Sequence, residues 1–231
     1  MSNRIFSIDV LRTFAIVLMV IFHFIYDLKF FGYVDWDTPD GDGWRSFRHL
    51  ILISFFICLG ASLHLSYKRE IDWRKFTKRL VQISLSALAI TLVSLLTVPQ
   101  NYIYFGVLHF IAVASLICIY FANKPRISLL IGLFIVMIFN MNWVSSLWPF
   151  THIRESLPRY SNDYVGLFPW LGTVFIGIWF ASTSFLKNDP LKQFNKHAWI
   201  AWPGKHSLVI YLVHQPLFFI IFGAIAYLSS S

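Results

Sequence analysis

Asp9, Arg12, His23 and Asp27 sit inside an otherwise apolar run from Ile5 to Phe31, and their types and spacing could do chemistry. A helix turns about 100° per residue, so offsets of 3, 14 and 18 from Asp9 bring all four back to one face, within about 60° of each other. A charged side chain in the hydrocarbon layer costs roughly 2.5 to 3.5 kcal/mol on insertion scales, so such a stripe must face protein or water. Arginine presents a planar fork that pairs with phosphate or carboxylate oxygens. Histidine can take and return a proton near neutral pH, with its tautomer held by a neighbouring carboxylate. At 1.5 Å per residue, Arg12 and His23 are about 16 Å apart along the axis. That separation suits an anion site in the inner half of a membrane and a general base, with Asp27 one turn further on, near the outer face. A salt bridge between Asp9 and Arg12 is the plainer role for that pair. The competing function class is a transporter that uses the four residues as a proton or anion relay.

These residues need elements to position them, and composition says which kind. The chain has 231 residues, 57% hydrophobic and 19% aromatic with 13% charged, which excludes a soluble globular domain. Seven apolar stretches reach the ~20 residues needed to cross a bilayer core: 6–27, 48–67, 79–98, 102–122, 127–146, 166–186 and 206–228. Lipid leaves backbone groups no water to bond, so spans of this length are helices rather than barrel strands. The expected fold is an all-α, polytopic membrane bundle of about seven transmembrane helices, forming one domain over residues 1–231.

Loop charges set the expected orientation. Lys68, Arg69, Arg74, Lys75, Lys78 and Arg79 share one side with Lys124 and Arg126 and with Lys187, Lys192, Lys196 and Lys205. On the other side, residues 28–47 carry Asp35, Asp37, Asp40 and Asp42, and residues 147–165 balance Arg154 and Arg159 against Glu155 and Asp163. The positive-inside rule puts the amino terminus in the cytoplasm and the carboxyl terminus outside. The net charge of +8 reports that topology and contact with anionic lipid, not nucleic acid. Cys58 and Cys118 fall inside expected helices and form neither a disulfide framework nor a metal spacing.

Further histidines come to mid-depth by the same arithmetic. His109 and His214 each lie roughly 12 to 14 Å into a span. Ser207 and Tyr211 precede His214 on its face of the last helix. His109 and His214 are candidates to line a reaction chamber with His23, the plainer alternative being interhelical hydrogen bonds. Arg48 and His49 open the second span at the outer face, where snorkelling is the simpler role. Gly60, Ala61, Ser62, Gly172 and Gly177 read as close helix packing, and Trp36, Trp143 and Trp148 as interfacial anchors. No phosphate-cradling glycine loop, zinc-spaced ligand set or serine elbow occurs, so no metal is expected.

The segment from Ser7 to His23, with an arginine followed by ten residues and a histidine, resembles the opening helix of integral-membrane acyltransferases. In more detail the chain is similar to the bacterial branch of the heparan-alpha-glucosaminide N-acetyltransferase catalytic-domain family. The matching segments, in order, are Phe55–Ser62, Phe105–Ile111, Phe168–Gly172 and Gly204–Pro216. In heparan-modifying members an asparagine corresponds to His23 and a histidine sits in the following outer loop, whereas here Lys29–Phe47 has none. The resemblance implies a multi-pass protein of the bacterial inner membrane. It would move an acetyl group from cytoplasmic acetyl-CoA to an extracytoplasmic hydroxyl or amine, on a glycan or small-molecule acceptor. Under it, His23, Asp27 and His109 are expected in catalysis, and Arg12, Asp9, His214 and Tyr211 toward the acyl donor. Lipid and acyl-CoA are the expected partners, and a homo-oligomer is compatible with the sequence.

Overall fold

The computed structural model describes residues 5–158, 161 and 163–230. Arg159, one of the loop charges weighed above, lies outside them. All regular structure among the described residues is helical. Four helices are long and apolar enough to cross a bilayer: α1 (Phe6–Phe30), α2 (Asp42–Tyr67), α3 (Trp73–Thr97) and the last helix over Ser207–Leu228. The fourth, fifth and sixth expected spans coincide with shorter apolar helices. These are α4 (Val107–Cys118), extended by a 3₁₀ turn to Phe121, then α5 (Pro125–Asn140) and α6 (Trp170–Phe180). Two four-residue helices, α7 (Ser184–Lys187) and α8 (Trp202–Lys205), precede α9 (Ser207–Ser230).

Chain ends of these helices follow local chemistry that an apolar run does not reveal. Asp72 caps α3 by accepting from the Lys75 backbone N–H at 3.0 Å. Pro125 starts α5, where its missing N–H costs nothing. Gly32 ends α1 in a left-handed conformation, φ 78°. Its N–H donates to Lys29 O and that of Tyr33 to Leu28 O, which satisfies the last carbonyls. The first connection is therefore shorter than the expected 29–47, because α2 begins at Asp42, whose charge suits a helix N-terminus. Arg48 and His49 then lie inside α2 rather than at its opening.

The chain divides into two compact units. One comprises Phe56–Asn188, from the second half of α2 through α7. Phe56 and Phe110 pack at its centre with ring centroids 4.2 Å apart, and Gly60 and Gly177 lie against the backbones of Val174 and Ile57. The other comprises Ile5–Phe55 and Asp189–Ser231, bringing α1 and the start of α2 together with α8 and α9. Ile16, Met19, Phe22 and Ile51 form its apolar core, with Trp44, Phe47 and Tyr211 packed around them.

Candidate active site

The N-terminal end of α1 is tied to a segment more than 180 residues later in the chain. Asp189 accepts from the backbone N–H groups of Phe6 and Ser7, each at 2.9 Å, and from the Ser7 hydroxyl at 2.5 Å. Burial alone would raise the Asp189 pKa, but these donors, with Lys192 nearby, outweigh it and hold the carboxyl below its ordinary value. One turn further, Asp9 is buried and accepts from Arg12 Nη1 at 3.1 Å. Arg12 Nη1 also reaches the Gly204 carbonyl at 3.5 Å. The Thr13 hydroxyl donates to Asp9 O and accepts from the Gly204 N–H, at 3.0 and 2.9 Å. Gly204 is required here: a Cβ would overlap the Asp9 carbonyl oxygen, so only glycine lets α8 seat its backbone on α1.

At the other end of the stripe two histidines meet. His23 Nδ1 lies 3.1 Å from His214 Nε2 and 3.1 Å from the Met19 carbonyl. His214 Nδ1 lies 3.1 and 2.9 Å from the carbonyls of Ile210 and Tyr211. Carbonyl oxygens only accept, so each Nδ1 carries the hydrogen. His214 Nε2 is then the lone-pair nitrogen that accepts from His23 Nδ1–H, and Met19 O keeps His23 in the same tautomer. In the neutral ring this places the lone pair on His23 Nε2, the form a general base needs. The Phe22 ring lies edge-on to His23, at 5.7 Å, and to Trp44, at 6.1 Å. Trp44 stacks on the half-exposed Trp36 at 6.0 Å.

One turn beyond His23, Asp27 is fully buried and its Oδ1 accepts from Gln215 Nε2 at 3.2 Å. Asp27 thus meets Gln215, and His23 is oriented by His214 and Met19 O instead of by the carboxylate expected from sequence. Phenylalanine pairs continue the α1–α9 contact, with Phe24 on Phe218 at 5.5 Å and Phe30 on Phe219 at 5.3 Å. Such ring pairs each add about 0.5–1.5 kcal/mol beyond burial. Pro216 lies inside α9 just after Gln215 and offers no N–H to the Leu212 carbonyl.

The α1 stripe therefore meets the chain's last segment along its length: Arg12 and the Asp9 backbone meet Gly204, His23 meets His214, and Asp27 meets Gln215. Tyr211 contributes its carbonyl to His214 and its ring to the core, at 5.9 Å from the His214 ring. His109 belongs to the other unit. Its Nδ1 accepts from the Gly106 N–H at 3.2 Å, so its Nε2 carries the hydrogen and donates to Thr91 Oγ1 at 3.1 Å. Thr91 in turn donates to Ile103 O at 2.7 Å. Sequence reasoning missed Thr13 and Gln215, although Gln215 was visible as a polar residue beside His214 in a long apolar helix.

Helix α1 thus carries a carbonyl-anchored histidine paired with His214 and, toward its start, an arginine–aspartate pair of which Asp9 is buried and Arg12 partly exposed. The family model described as heparan-alpha-glucosaminide N-acetyltransferase, catalytic, matches residues 4–216, and the chain belongs to this family. It is thus a member of a membrane acetyltransferase family, as its sequence motifs anticipate. No curated protein and no solved structure compared with the chain gives a match.

Proposed function

We propose that this protein, as one functional domain over residues 1–231, transfers an acetyl group from cytoplasmic acetyl-CoA to a hydroxyl or amine on the other side of a bacterial inner membrane. A sugar or cell-envelope glycan is the proposed acceptor. The observation that carries the reading is the contact between His23 and His214, whose hydrogen bonds leave His23 Nε2 as the proton acceptor. His23 takes the acceptor's proton at Nε2 as the nucleophile attacks. The Nδ1–H bond to His214 and the Met19 carbonyl keeps the ring from flipping and stabilises the imidazolium that forms. His214, held by the Tyr211 and Ile210 carbonyls, is a positioning residue.

Acetyl-CoA, when bound, supplies an activated acyl group whose thiolate leaves readily. The residues at the inner end of α1 fit its anionic portion. Arg12 keeps 18% of its side chain exposed, and its guanidinium is oriented by Asp9, so Arg12 would hold a phosphate while Asp9 fixes its direction. His109, with both ring nitrogens engaged inside its own unit, we assign to capping the start of α4.

The direct test is turnover by purified protein in lipid with acetyl-CoA and a panel of amino and neutral sugars. His23→Ala is expected to cost about a hundredfold to ten-thousandfold in kcat/KM with the fold kept. Unchanged turnover would reject the assignment. Anion flux in liposomes without any acyl donor would favour a transporter instead.

A further inference from the structure

Asp27 presents two oxygens to the protein interior, and only Oδ1 has a donor, Gln215 Nε2 at 3.2 Å. Asp27 Oδ2 and Gln215 Oε1 are both buried without a hydrogen-bond partner. An ionised carboxylate and an amide carbonyl both only accept. Ionised Asp27 would therefore leave a fully buried charge with a single neutral donor, beside a second unmatched acceptor. One hydrogen removes both deficits. A carboxylic acid and a primary amide have complementary planar edges, O–H to C=O and N–H to C=O, and the Nε2–Oδ1 bond is already half of that ring.

No cation among the described residues makes an ion pair with Asp27. α9 carries no Lys, Arg, Asp or Glu, and its His214 is neutral by the hydrogen bonds described above. On α1, His23 commits its Nδ1–H to Met19 O and His214 Nε2, Lys29 donates to Thr38 O at 2.9 Å, and Tyr26 lies within electrostatic reach of Asp27 and of Asp40 in the first connection. We propose that Asp27 and Gln215 form a proton-binding site in which Asp27 is a neutral carboxylic acid, donating from Oδ2 to Gln215 Oε1 while Oδ1 accepts from Nε2. Its consequence for transfer rests on His23 being the base. A carboxylate one helical turn away would favour the imidazolium, whereas a neutral acid leaves His23 Nε2 its lone pair. Asp27 is then a positioning residue that keeps the base unprotonated.

Infrared spectra of the full-length protein in lipid at neutral pH, recorded without acyl donor, test the protonation state independently of transfer. Wild type minus Asp27→Asn is expected to show the carbonyl stretch of a protonated carboxylic acid. That band should move on exchange into heavy water and shift to higher frequency in Gln215→Leu. Labelling wild type with ¹³C-aspartate must move the same band, which holds the test even if a variant fails to fold. A difference spectrum with only ionised-carboxylate stretches would overturn the proposal, as would a band indifferent to Gln215→Leu. Asn at position 27 can donate its amide hydrogen to Gln215 Oε1, so Asp27→Asn is expected to melt no lower than wild type, and a large drop would count against a neutral acid. A melting temperature raised by sodium but not by choline, with the acid band absent, would replace the proton with a bound cation. Loss of transfer in His23→Ala leaves all these outcomes unchanged, so the two readings fail separately.

Discussion

What sets His23 apart is that its Nδ1 meets a second imidazole as well as a carbonyl. His109 spends both ring nitrogens on Gly106 and Thr91, and His64 Nδ1 faces the Ala122 carbonyl at 2.8 Å. His23 spends Nδ1 alone, on Met19 O and His214 Nε2. If His214 acts by holding that tautomer, His214→Ala lowers kcat with the donor KM unchanged. His214→Gln recovers part of the loss, because an amide oxygen can accept from His23 Nδ1–H. Steady-state kinetics with the two parameters separated checks this, and a change confined to KM would assign His214 to donor binding instead. The four-residue stripe was legible because a period of 3.6 puts those residues on one face whatever they meet. Their partners were not legible, because His214 lies 191 positions from His23 and its tautomer depends on carbonyls that only the fold brings near. Gln215 gives little signal in the sequence, because an uncharged amide in an apolar helix carries little cost until it is buried beside a carboxyl such as Asp27.

Helix ends carry the next level of specification. Gly204 admits α8 to the backbone of α1, so Gly204→Ala is expected to cost about 1–3 kcal/mol through overpacking. Thermal unfolding in detergent measures it, and an unchanged midpoint would mean that α8 shifts freely. Asp189 holds the start of α1 and has its folded pKa depressed, so its contribution is present above the ordinary carboxylate value of about 4 and is lost as pH falls through the lower, folded value. Melting temperatures followed from neutral to acid pH should show this loss in wild type and a smaller one in Asp189→Asn. Apolar runs located all the long helices but not their limits. Hydropathy sees Ile51 and Leu52 as core and is blind to Asp42 as a helix start, to the Gly32 turn and to the Asp189 cap. It also placed three spans wider than the helices, because α4 and α6 start only after Gly106 and Pro169 and α5 stops at Asn140, while apolar residues beyond these points continue the run.

At the scale of the whole molecule, the family match runs through both compact units, from residue 4 to residue 216. Membership was legible because its motifs recur in order along the chain, whereas the division of the chain into units depends on contacts distant in sequence. The histidine pair and the arginine–aspartate pair lie toward opposite ends of α1, separated by about 16 Å of helix rise, so the proposed reaction has a direction. Sealed vesicles with the protein in one orientation test that direction and the chemistry together. Radiolabelled acetyl-CoA is supplied only at the face bearing the Lys68–Arg79 loop, and acceptor sugars only at the other. Label should appear on the opposite-side acceptor with wild type and fall at least a hundredfold with correctly folded His23→Ala. Equal transfer by the two proteins, or label moving only when donor and acceptor share one face, would contradict His23-dependent acetyl transfer across the membrane.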